Sequence, residues 1–236
     1  ALYAFMLAGL VAGITGFSYV LLASEYPKAA GEAVFVKHGM GPIPARFIGY
    51  MVIAVGIRSA SVIALAFARY LESLVSIPAQ FNLIGVIVAL ALIAMMGVRE
   101  SVGFAALITV LEVGTLAVVA IAGWPHLLEN GALTRVLLPP DSLAGWSAAS
   151  AGAFLAFFAF IGFEDIENMA EETQNAERNV PLAIILTLVI SLVLYGVLAM
   201  IAASFPDRET LTKSATPLVV LFEQGSGRNG SIIAAM

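Results

Sequence analysis

Six stretches of this sequence run for more than 20 residues with almost no charge, and that feature limits the fold more than any other. Residues 1–24, 78–98, 143–163 and 181–205 contain no Asp, Glu, Lys or Arg; 47–70 holds Arg58 and Arg69, and 101–124 holds Glu112. A helix rises about 1.5 Å per residue, so crossing a hydrocarbon core of about 30 Å takes roughly 20 apolar residues. Backbone groups in lipid must be satisfied internally, and these runs lack the alternation of barrel strands, which leaves helices. With 61% hydrophobic and 11% charged residues, a soluble globule could not cover its surface. The fold class is therefore an all-α integral membrane protein, a multi-span helical bundle.

We place spans at about 1–24, 47–70, 78–98, 101–124, 146–170 and 181–205 of one transmembrane domain. A further span is expected to start near 231–236. Ala1 and Met236 both lie inside apolar runs, as expected of a piece of a longer, transporter-like chain. The segments between spans carry the helix breakers Pro27, Pro42, Pro44, Pro139 and Pro140. The apolar patch 218–222 is too short to span and is expected to form a short helix at the surface. Lys and Arg divide evenly between the two sides, so charge gives little orientation. The net charge of −5 is dispersed without a basic run, which gives nucleic acid nothing to bind. The absence of cysteine excludes disulfides and thiolate metal sites.

Three features carry potential chemistry. The first span sets Gly9, Gly13 and Gly16 on one face, where another helix can approach closely. Arg58 and Glu112 each fall 11 residues into their spans, at a shared depth of roughly 16 Å. They form either a structural ion pair or, with Glu112 as a titrating carboxylate, part of an ion-coupling device. The third feature is the stretch 153–168, where an aromatic-rich helix meets Gly162 and then Glu164, Asp165 and Glu167. Glycine tolerates angles that break a helix, and broken membrane helices present backbone groups to a ligand. The same residues also fit a packing glycine followed by a solvated helix end. On an α-helix, Glu164, Glu167 or Asn168, and Glu171 would share a face, which admits a membrane-embedded, metal-dependent transferase as an alternative. A non-transporting membrane scaffold is the other.

The run Phe157-Phe158-Ala159-Phe160-Ile161-Gly162-Phe163-Glu164, with Glu171-Glu172-Thr173-Gln174-Asn175-Ala176-Glu177-Arg178-Asn179-Val180-Pro181, resembles the sixth helix and following loop of amino acid permeases. These belong to the amino acid–polyamine–organocation superfamily. Residues 18–32, which include Glu25-Tyr26-Pro27-Lys28, resemble the end of the second helix and the next loop. The resemblance implies a partial LeuT-like inverted-repeat fold, covering helices 2 to 7 and the start of helix 8. It implies a secondary transporter of the plasma membrane, moving amino acids or related amines by alternating access, ion-coupled or by exchange, and not an enzyme. By position, Phe160, Ile161 and Gly162 resemble the unwound substrate-binding segment, and Phe158 the aromatic gate. Glu164 matches an acid used in pH response by some members. Glu112 stands where proton-coupled members often carry a lysine. The resemblance implies no metal and no cofactor beyond a coupling H⁺ or Na⁺. The substrate and the lipid bilayer are the implied partners, and oligomeric state is not legible.

Overall fold

The computed structural model describes residues 1–75, 77–205, 208–214, 216–230 and 233. Among the described residues the regular structure is helical throughout: α1 (Leu2–Glu25), α2 (Gly31–Met40), α3 (Pro42–Leu74), α4 (Ala79–Met95), α5 (Val98–Leu128), α6 (Ala132–Leu137), α7 (Leu143–Ala156), α8 (Ala176–Ser204), α9 (Arg208–Lys213) and α10 (Pro217–Ser226). Three 3₁₀ segments join them, at Glu129–Gly131, Phe157–Ala159 and Phe163–Glu172. The boundaries follow local chemistry. Pro27 stops α1 two residues past its end, because a ring in place of an N–H cannot continue the ladder. Gly41 ends α2 at φ 90° with its N–H on the Lys37 carbonyl, and Pro42 opens α3 without losing a bond.

Five helical segments are long and apolar enough to cross a membrane: Leu2–Glu25, Pro42–Glu72, Glu100–Leu128, Leu143–Glu172 and Ala176–Ser204. The run at 78–98 forms only the 17 residues of α4, about 25 Å of helix. Side chains on the spans point largely outward, with Ile63 and Val110 both 69% exposed, as an apolar solvent permits. The further span expected near 231–236 lies outside the described residues except for Ile233.

The chain forms two compact units, 1–55 with 134–203 and 56–133 with 204–236. In the first, α1 packs along α7 through Ala4, Ala8 and Ala12, all buried. Gly9 and Gly16 receive the side chains of Leu192 and Leu188 from α8, the close approach expected of that face. Gly13 instead faces an apolar groove of about 800 Å³ between α1 and α8. In the second unit α10 packs along α5 and buries Leu221, so the apolar patch at 218–222 is covered rather than laid out at the surface. His126 and Phe205 meet there with ring centroids 4.7 Å apart.

Gly225 of α10 tests this packing. A Cβ there would lie 2.7 Å from the Ala122 carbonyl oxygen, a backbone atom that no rotamer change can move. Gly225→Ala is expected to destabilise the detergent-solubilised protein by about 1–3 kcal/mol in thermal unfolding. Gly13→Ala meets open space and should be neutral, or stabilising by up to about 1 kcal/mol through helix propensity.

Candidate functional site

The fourth long apolar segment is not one helix. Ser142 caps α7 by accepting the Gly145 N–H at 3.2 Å, and regular helix ends at Ala156. One 3₁₀ turn follows, with the Phe160 N–H donating to the Phe157 carbonyl at 2.9 Å. Gly162 then takes φ 116° and ψ −15°, and the chain resumes as the ten-residue 3₁₀ helix Phe163–Glu172. Runs of 3₁₀ beyond three or four residues are uncommon, and within a longer helical segment they often mark a hinge. Glycine is required at the break because a side chain at that φ is strained.

Aromatic contacts hold the break from two sides. Phe160, only 4% exposed, takes the ring of Tyr195 from α8 edge-on at 5.5 Å. Phe163, equally buried, takes Tyr19 of α1 edge-on at 5.7 Å. Gly162 is thus suspended between two anchored phenylalanines, and a Cβ placed on it would meet open space. Its N–H donates to Glu164 Oε2 at 2.9 Å, so the carboxylate curls back onto the amide exposed by the break. An acid in the first turn also suits the positive end of the following half-helix.

The structure brings Phe160, Ile161, Gly162 and Glu164 together in this one turn. Phe158 points outward, 64% exposed, with its ring against Phe154. Ile161 is exposed as well. Arg58 and Glu112 lie in the other unit, and the expected ion pair is not formed. Both side chains are exposed. The two helices that carry them make little mutual contact, so neither side chain reaches the other.

The acidic face expected of an α-helix is also rearranged. A 3₁₀ helix eclipses residues three apart, so Glu164 and Glu167 align with Ala170 and leave Glu171 on another face. Glu164 is turned to Gly162, Glu167 is buried and Glu171 is exposed. Among the described residues no group of three His, Asp or Glu is placed to hold a metal ion. Sequence reasoning missed Tyr19, Tyr195 and Phe163 as the clamps of the break. Their one legible signal was the pair of phenylalanines at 160 and 163 flanking a glycine.

Comparison with known proteins bears on this geometry. The sequence model of the family described as amino acid permease matches residues 1–236. The methylthioribose transporter of Bacillus subtilis is 26% identical over 210 residues, 81% of this chain and 44% of that protein. A branched-chain amino acid permease of Bacillus subtilis, BcaP, is 25% identical over 216 residues, 81% of this chain and 44% of its own length. The low-affinity putrescine importer PlaP of Escherichia coli is 28% identical over 196 residues, 80% of this chain and 42% of its own. The chain thus spans less than half the length of these relatives.

Replacing Gly162 tests the break directly. Gly162→Ala should cost about 1–3 kcal/mol of stability, the usual range for a side chain held at an unfavourable positive φ, although no atom obstructs its Cβ. A thermal midpoint unchanged from wild type would show that the backbone there is not held at φ 116°.

Proposed function

This chain belongs to the amino acid permease family, and on that premise we propose that it forms part of a secondary transporter that moves amino acids or related amines by alternating access. It is a multi-pass integral protein of the plasma membrane, and its relatives are transporters and permeases rather than enzymes. The observation that carries the proposal is the interruption at Gly162, inside a segment that is otherwise long and apolar enough to span. Discontinuous membrane helices are where transporters place substrate sites, because the interrupted turn offers peptide dipoles at depth.

Charge selects the end of the substrate that this turn receives. Glu164 and Asp165 stand just beyond the break, and residues 143–177 contain no Lys or Arg. A protonated amine is attracted to that surface and a carboxylate is repelled. We therefore assign the turn 160–162 with Glu164 to the substrate's ammonium group, with Phe158 as an exposed ring able to close over it. The names of the relatives, which include a putrescine importer and a branched-chain amino acid permease, have an amine in common in these two cases. Ion coupling or exchange drives the movement, with H⁺ or Na⁺ as the coupling ion and Glu164 or Glu112 as candidates for the carboxylate that senses it.

Uptake by the complete protein in proteoliposomes is the test. Saturable uptake of an amino acid or diamine is expected, inhibited by amines that lack a carboxylate and indifferent to the matching acid that lacks the amine. Equal inhibition by the deaminated acid would overturn the ammonium assignment. The absence of any amine or amino acid uptake would overturn the transport reading itself.

A further inference from the structure

Glu167 is the largest charged side chain shut inside the first unit, and nothing in the substrate reading uses it. It is 1% exposed, and neither carboxylate oxygen accepts a hydrogen bond of good geometry, although the backbone and the carboxyl of Glu32 both lie against it. It projects from the 3₁₀ helix Phe163–Glu172 onto the first residue of α2. The approach is so close that a Cβ on Gly31 would overlap the carboxyl group. Beside it stands the acid of Glu32, also on α2, which accepts the Tyr19 hydroxyl at 3.3 Å. The contact is fixed from the other direction by the Ala30 N–H, which donates to Asn168 Oδ1 at 3.1 Å. Ala30 sits in the left-handed region at φ 63°, a strained setting for alanine that this docking holds in place.

We propose that Glu167 and Glu32 form a proton-binding carboxyl pair at the contact between α2 and the 3₁₀ helix, and that its proton is the coupling ion of the transporter. Two ionised carboxylates offer acceptors only and cannot bond to each other. Leaving both charged side by side, with Glu167 shut away from water, is unfavourable. Among the described residues no cation compensates: Lys28 and Lys37 are exposed, and the ion pairs found lie elsewhere. The charged and titratable groups that face Glu167 are Glu32 from α2, Tyr19 from α1, and Glu164 from its own helix. The core residues from α8, Ala176, Val180 and Ile184, are apolar. A metal ion would need several more oxygens, and the close packing of Gly31 against the carboxyl leaves no such shell. A proton needs no room. One carboxyl's O–H then donates to the other's oxygen, turning repulsion into a hydrogen bond.

Glu167 sits on the half-helix that follows Gly162, three residues beyond Glu164, and Glu32 meets it from α2. Docked, the contact retains the proton; parted, both carboxylates hydrate and the proton passes to water. Proton binding and the position of the half-helix carrying the substrate turn are therefore linked, and linkage is reciprocal. This inference rests on the transporter reading above, and its test separates the two.

The experiment compares wild type and Glu167→Gln in the complete, reconstituted protein. Glutamine keeps the shape of the protonated acid and cannot release a proton. Uptake driven by a proton gradient is expected to fall about tenfold in E167Q, within the usual range of coupling between sites, while counterflow exchange stays within about twofold. Infrared difference spectra of wild type should show a buried carboxylic-acid band that titrates, absent in E167Q and shifted in E32Q; the latter serves if E167Q does not fold. The exposed control Glu177→Gln should retain both. Undiminished proton-driven uptake in E167Q, uptake driven by sodium instead, or no titrating carboxylic-acid band would overturn the proposal. If wild type carries no substrate, the transport reading fails, and the infrared band still decides whether the pair binds a proton.

Discussion

A peptide group inside a bilayer must find its hydrogen-bond partner within the protein, and that requirement shapes both the spans and the site of this chain. It forces uncharged runs into helices. It also makes any interruption costly, so an interruption that persists must be supported by the structure around it. Here the support is explicit. Phe160 and Phe163 are buried on either side of Gly162, each against a tyrosine ring from a different helix. The amide of Gly162 is satisfied by the carboxylate two residues on. The break is therefore a packed feature, with its geometry set by α1 and α8 as much as by its own sequence.

Length and hydropathy sufficed to expect long apolar helices, and five such segments are present, because a solvent without hydrogen bonds leaves the backbone few options. The glycine at 162 was legible for a related reason: it stands two residues before the first acid, in a run that has not ended. Other features depend on contacts that no local pattern encodes. Helix α2 hides in a stretch that reads as a charged, proline-bearing connection, because its ten residues are set off by Ala30 and Gly41 rather than by an apolar face. Glu167 reads as one acid among several, yet it is the one that packing buries. The same helical periodicity that grouped Glu164, Glu167 and Glu171 misled, since the segment winds with three residues per turn.

Arg58 and Glu112 show the opposite failure. Equal depth in two spans is necessary for an ion pair, and it is insufficient. Pairing also needs the two helices to present those faces to each other, and both side chains here face outward. The acids that the fold does gather, Glu32, Glu164, Asp165 and Glu167, stand on the loop side of the break and on the helix docked against it. The break at Gly162 and the acid contact thus lie on one short segment, so a displacement of that segment is felt at both.

Amide hydrogen exchange across 143–204, read on the complete protein with and without saturating substrate, tests the central claim most directly. Without substrate, the amides of Ile161 to Phe163 should exchange faster than those of α7 and α8 on either side, and substrate should slow them selectively. Uniform protection through that turn, unchanged by substrate, would mean a continuous helix with no backbone to offer, and would contradict the account.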